Sequence, residues 1–325
     1  MNVAIIGCGL IGHKRAEALT GCRLVVCADT VKERAEELAL KWPGTEVARD
    51  WQTAVEMPDI DMVIVATTHN SLSEVAIGAV KAGKHVLIEK PGARSVVEIK
   101  PVIYASEKKG VLVRVGFNHR YHPAFIKAKE IVASGEMGEL MFIRGRYGHG
   151  GRIGYDKEWR ADKEIAGGGE LIDQGMHLID LSRMFLGNFT GVKGFAHTYF
   201  WDMDVEDNGF MILTTFGQQT AFLHASWTDW KNTFSFEIYG KNAKIEISGL
   251  GGSYGVEKIS YYKMLPQMGP PETVTWEYPF PDASWEYEFK EFLEDIRLGR
   301  KPSAGLEDAK AALEIIEKVY EESGI

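Results

Sequence analysis

Cysteine is scarce in this chain: Cys8, Cys22 and Cys27 are the whole complement among 325 residues, and they form no Cys-x-x-Cys pair. An odd, sparse set does not make a disulfide framework and fits a reducing compartment. Nowhere do about eighteen apolar residues run uninterrupted, which disfavours a membrane span. No basic segment precedes the apolar stretch after Met1, which disfavours an export signal, so the expected location is the cytoplasm. Positive charge is in deficit: 37 Lys and Arg stand against 46 Asp and Glu, a formal net charge of -9. Nucleic-acid binding draws much of its affinity from clustered Lys and Arg, so a nucleic-acid partner is not expected. Internal repeats and low-complexity tracts are also missing. What remains is an ordinary globular composition, with 45% hydrophobic and 26% charged residues. The length suffices for two compact domains, each with its own core.

The first 118 or so residues alternate short apolar runs with longer amphipathic stretches, the pattern of successive βα units. Strands are expected at residues 3–6, 24–27, 62–66, 85–88 and 112–116, with helices at 11–19, 32–41, 72–82 and 97–109 between them. Beyond Tyr121 the pattern changes. A helix at 124–134 and a strand at 139–147 lead through a Gly-rich segment to a helix at 169–185. Five strands follow at 191–198, 207–215, 220–227, 232–239 and 243–248, separated by turn signals, and helices at 284–298 and 306–322 close the chain. The expected fold is α/β: a doubly wound parallel sheet over residues 1–120, then an α+β domain with an open, mostly antiparallel sheet over 121–325.

Gly7-Cys8-Gly9-Leu10-Ile11-Gly12 matches G-x-G-x-x-G directly after an apolar strand and at the opening of a helix. In the dinucleotide-binding (Rossmann) arrangement the first Gly makes the tight turn and the second admits the pyrophosphate. The third allows close helix packing, and the helix start supplies N–H donors. Asp29 ends the second strand where a carboxylate accepts the adenosine ribose hydroxyls and repels a ribose phosphate. NAD is therefore expected over NADP.

Lys90 follows a strand in Glu89-Lys90-Pro91, at the carboxyl edge where open α/β sheets bind ligands. Asp173 and His177 stand four residues apart, on one face of the expected helix, where a proton relay can be built. Together with Ala-Gly-Lys-His-Val-Leu-Ile-Glu-Lys-Pro, Gly-Phe-Asn-His-Arg-Tyr and Asp-Gln-Gly-Met-His, these motifs make nearly the whole chain resemble the Gfo/Idh/MocA oxidoreductases. The resemblance implies a catalytic group of Lys90, Asp173 and His177, a cis bond between Lys90 and Pro91, and a homodimer or homotetramer formed through the C-terminal sheet. It also implies that Thr67, Asn70, Glu89, Trp159 and Arg160 lie near the cofactor. It implies carbohydrate or polyol substrates.

In hydride chemistry a base takes the hydroxyl proton, assigned here to His177, while Lys90 stabilises charge on the reacting oxygen and Asp173 orients the base or holds a substrate hydroxyl. Asn118, His119 and Arg120 are read as substrate contacts, as are Arg152 and Tyr155 from a loop at 147–159. His119 and His122 do not complete a ligand set, and no metal is expected. The leading reading is an NAD-dependent dehydrogenase acting on a secondary hydroxyl of a sugar, a sugar derivative, nucleotide-linked or free, or a cyclitol. An NAD-dependent glycosidase using transient oxidation and a non-catalytic dinucleotide sensor are the alternatives.

Overall fold

The computed structural model describes all of residues 1–325. Two compact units divide the chain: residues 1–117, 164–167 and 285–313 form the first, and residues 118–163, 168–284 and 314–325 form the second. The division is not a single cut near residue 120, because residues 164–167 and 285–313 pack with the N-terminal part.

In the first unit the strands are β1 (Asn2–Ile6), β2 (Arg23–Ala28), β3 (Glu46–Val47), β4 (Met62–Val65), β5 (His85–Glu89) and β6 (Val113–Gly116). They form one parallel sheet in the order β3-β2-β1-β4-β5-β6. Helices α1 (Leu10–Glu17), α2 (Lys32–Lys41), α3 (Trp51–Glu56), α4 (His69–Lys81) and α5 (Val96–Lys109) make the crossovers. Such strands are covered on both faces and read as unbroken apolar runs, and Val63, Ile64 and Val65 are indeed fully buried. Strand order reverses between β1 and β4, which opens a crevice at their carboxyl ends. The Gly7 turn and Thr67 lie at those two ends. Strand β3 and helix α3 escaped the sequence reading because two and six residues are too few to show a period. The cap of α3 is nonetheless local: the Asp50 carboxylate accepts the Thr53 N–H at 2.7 Å.

The chain continues through α6 (Pro123–Ala133), β7 (Leu140–Gly148), the one-turn α7 (Lys163–Ala166) and α8 (Met176–Leu186). Strands β8 (Phe189–His197), β9 (Asn208–Thr215), β10 (Thr220–Ser226), β11 (Thr233–Gly240), β12 (Ala243–Ser248), β13 (Glu257–Lys263) and β14 (Glu272–Tyr278) follow, then α9 (Ser284–Leu298) and α10 (Leu306–Ser323). The second unit holds an eight-stranded sheet in the order β14-β13-β12-β11-β7-β10-β9-β8. All its pairs are antiparallel except β7 with β10. Side chains on β11 and β12 alternate strictly between buried and half-buried, as expected when helices cover one face only. Helices α6 and α8 supply that cover. On the other face Phe195, Ile212 and Phe222 are about half exposed.

Strands β13 and β14 were not anticipated. Charged residues interrupt their apolar positions, and β14, at the edge of the sheet, is mostly exposed. The helix expected over 169–185 is two elements, a π turn at Leu171–Gly175 followed by α8.

Candidate active site

A Cβ added at Gly7 would come within 2.4 Å of the Ala66 carbonyl oxygen, and one at Gly12 within 2.1 Å of the Gly7 carbonyl oxygen. Packing of the protein itself demands both glycines, and Gly7 also has φ +93°. Gly9 differs: a Cβ there would meet no protein atom. Only a close-approaching ligand gives this position a reason to be glycine. Helix α1 starts with neither a side-chain cap nor an acid in its first turn, leaving its first N–H groups for an anion. The Leu10 side chain is mostly exposed and Ile11 is half-buried, both on that first turn. Asp29 is half-buried, and its carboxylate accepts Cys8 N–H at 2.7 Å and Val31 N–H at 2.8 Å. The residue thus ties the Gly turn to β2, and each oxygen retains a lone pair for a hydroxyl. These groups fit a dinucleotide. Thr67 and Asn70 flank the start of α4, Thr67 half-buried and Asn70 exposed.

Glu89 ends β5, and its carboxylate accepts Arg15 Nε at 2.5 Å. The fully buried Arg15 also donates to Glu288 at 2.6 Å. Burial pushes the Glu288 carboxyl up against the pull of Arg15, and the same ion pairs hold the guanidinium charged despite its burial. Glu89 was expected beside the cofactor, and here it has a structural partner. Neither Arg15 nor Glu288 stood out in the sequence, because the pair spans 273 residues. Lys90 follows Glu89 at the carboxyl edge of the sheet, half-buried, with a cis bond to Pro91.

In the second unit the π turn presents Asp173 and α8 presents His177, both buried. A π turn puts an extra residue into the helix and is frequent at functional sites. Glu206 anchors it: the buried carboxylate accepts the Gly169 and Leu171 N–H groups at 2.9 Å and the Tyr320 hydroxyl at 2.8 Å. Burial raises its pKa above the ordinary carboxyl value in spite of these donors. The preceding glycines are packing glycines, since a Cβ at Gly169 would fall 1.9 Å from the Glu206 carbonyl oxygen and one at Gly168 2.1 Å from the Tyr320 hydroxyl.

Asp173 accepts Arg160 Nε at 3.2 Å. Burial disfavours the Arg160 charge, but Asp173 beside it holds the guanidinium protonated. Arg160 also lies over the Trp159 ring, 4.5 Å from its centroid. The His119 ring stacks on His177, centroids 3.7 Å apart and planes at 15°. Its Nδ1 lies 3.1 Å from Asn118 Oδ1 and its Nε2 3.1 Å from the Tyr147 hydroxyl. Burial, with Tyr254 and Glu170 nearby, pushes the Tyr147 phenol well above its ordinary value.

Three residues read as substrate contacts have partners within the protein. Arg120 donates to Asp180 at 2.7 Å in a buried pair. Arg152 is largely exposed and pairs with Glu158. Tyr155 is buried in a satellite core with Val205 and Trp227. His122 is held by Glu257 at 2.9 Å. Tyr147 and Tyr254 are the site residues that sequence reasoning gave no role. The β-strand alternation points Tyr147 inward, but nothing local marks its partners.

Comparison with known proteins places this geometry. The NAD-binding Rossmann-fold model of the Gfo/Idh/MocA oxidoreductases matches residues 1–117, and the C-terminal domain model matches residues 125–246. Levoglucosan dehydrogenase of Pseudarthrobacter phenanthrenivorans is 31% identical over 222 residues, 64% of this chain, and the match spans only 57% of that relative's length. The NAD(+)-dependent scyllo-inositol 2-dehydrogenase of Bacillus subtilis is 26% identical over 97% of this chain and 92% of its own. A solved levoglucosan dehydrogenase in complex with NADH has a TM-score of 0.88 at 26% identity, covering 99% of this chain and 98% of that one. No helix is long and apolar enough to cross a membrane. The chain belongs to the Gfo/Idh/MocA family of oxidoreductases and carries that family's NAD-binding Rossmann domain.

Proposed function

We propose that the protein oxidises a secondary hydroxyl of a sugar, sugar derivative or cyclitol with NAD as hydride acceptor. The observation that carries this reading is the buried imidazole of His177 beside the π turn that presents Asp173, in a chain whose relatives are named for levoglucosan and scyllo-inositol. NAD, when bound, supplies the nicotinamide that takes the hydride. The Gly7–Gly12 turn and the start of α1 hold its pyrophosphate, and Asp29 holds the adenosine ribose.

His177 takes the hydroxyl proton as the carbon–hydrogen bond breaks, so the alcohol loses one hydride and one proton and leaves as the ketone. Lys90 donates a hydrogen bond to the reacting oxygen and stabilises the negative charge developing there. Asp173, fixed by Arg160, accepts from a neighbouring substrate hydroxyl. On this reading residues 1–120 supply the cofactor site and residues 121–325 the substrate and oligomer surfaces, in the cytoplasm.

The test is absorbance at the reduced-nicotinamide band with NAD and a panel of sugars, cyclitols, glycosides and nucleotide sugars. Turnover on one class supports the reading and names the substrate. Glycoside cleavage without net NADH, or NAD binding with silence across the panel, contradicts it.

A further inference from the structure

Two hydrogen-bond partners hold the His119 ring. Asn118 Nδ2 donates to Ser284 Oγ at 2.9 Å, which leaves Asn118 Oδ1 as the acceptor facing His119 Nδ1. His119 is buried, and its Nε2 lies 3.1 Å from the Tyr147 hydroxyl. Tyr147 in turn shares a hydrogen bond with Tyr254. The His119 ring is therefore held at both nitrogens, and the face it offers lies flat against His177, with centroids 3.7 Å apart. The other charged and titratable groups packed around these rings are Asp173 with Arg160, Glu170, and His122 held by Glu257.

We propose that His119 is a positioning residue for His177: a ring held at both nitrogens whose π face keeps the base in one orientation and supports the imidazolium that forms as the hydroxyl proton is taken. A cation over an aromatic face is stabilised, the more so where water is excluded. Two imidazoles so close do not both carry charge, because the second proton meets the first. This inference rests on the assignment of His177 as the base.

The experiment compares the pH profiles of kcat and kcat/KM for the wild type, His119→Leu, His119→Phe and His177→Ala, with saturating NAD and the polyol that turns over in the panel. Leu removes the π face, so the acid limb should move down by about one pH unit and kcat should fall about tenfold, with the KM for NAD unchanged. Phe restores the face, so both quantities should return to within about threefold of wild type. A wild-type acid limb in His119→Leu, or equal damage in His119→Phe and His119→Leu, overturns the proposal. Persistent turnover in His177→Ala overturns the base assignment itself, whatever the His119 variants do.

Discussion

Asp29 shows how one side chain can serve two ends. Its carboxylate clamps the Gly turn through Cys8 N–H, and on the proposed function it also receives the ribose hydroxyls. Asp29→Ala should therefore weaken NAD by about tenfold or more, the worth of a charge-assisted hydrogen bond. NADP should suffer less, because the repulsion of its phosphate goes too. Titration of both dinucleotides checks this, and equal losses would mean that the clamp alone matters. The residues that sequence exposes best are of this kind: Gly7, Gly9, Gly12, Asp29 and Lys90 act within a few positions of a strand end, where type and spacing can be read together. Arg15 and Glu206 were invisible because a buried charge is meaningful only beside its partner. Their partners are up to 273 residues away.

At the scale of elements, the long apolar strands β1, β4 and β5 were plain in the sequence, since burial on both faces writes itself as an unbroken run. The π turn was not. A helix with one inserted residue looks like a helix over residues 169–185, and the insertion is held by Glu206 from a distant strand approach. Glu206→Ala would leave the Gly169 and Leu171 N–H groups without their acceptor, each costing about 1 to 3 kcal/mol. We expect a loss of about 2 to 4 kcal/mol of stability by denaturant unfolding, together with a fall in kcat, as Asp173 and His177 lose their frame. A variant as stable as wild type would show that the π turn holds without that anchor. The Gly167-Gly168-Gly169 run carries a related lesson. It resembles a flexible hinge in sequence, yet Gly168 and Gly169 are dictated by contact with Tyr320 and Glu206.

For the whole molecule, the open face of the eight-stranded sheet poses the remaining physical question. Phe195, Ile212 and Phe222 occupy neighbouring strands there and are about half exposed. Beside them Arg144 is paired with Glu237, and Lys244 with Glu237 and Glu246. An apolar patch bordered by satisfied charges is the composition of a face that a second copy covers. We propose a homodimer or homotetramer through this face, and sedimentation should show Phe222→Glu shifting the assembly toward monomer. An unchanged assembly would place the interface elsewhere.

The central claim is that hydride passes from a carbinol carbon to NAD with Lys90 stabilising the oxygen, and single-turnover transfer from a carbinol-deuterated polyol tests it directly. Wild-type enzyme should yield NADH carrying one deuterium with a primary isotope effect, and Lys90→Ala should slow that step at least about a hundredfold while binding NAD as before. Unlabelled NADH, or a Lys90→Ala variant that transfers at the wild-type rate, would contradict it.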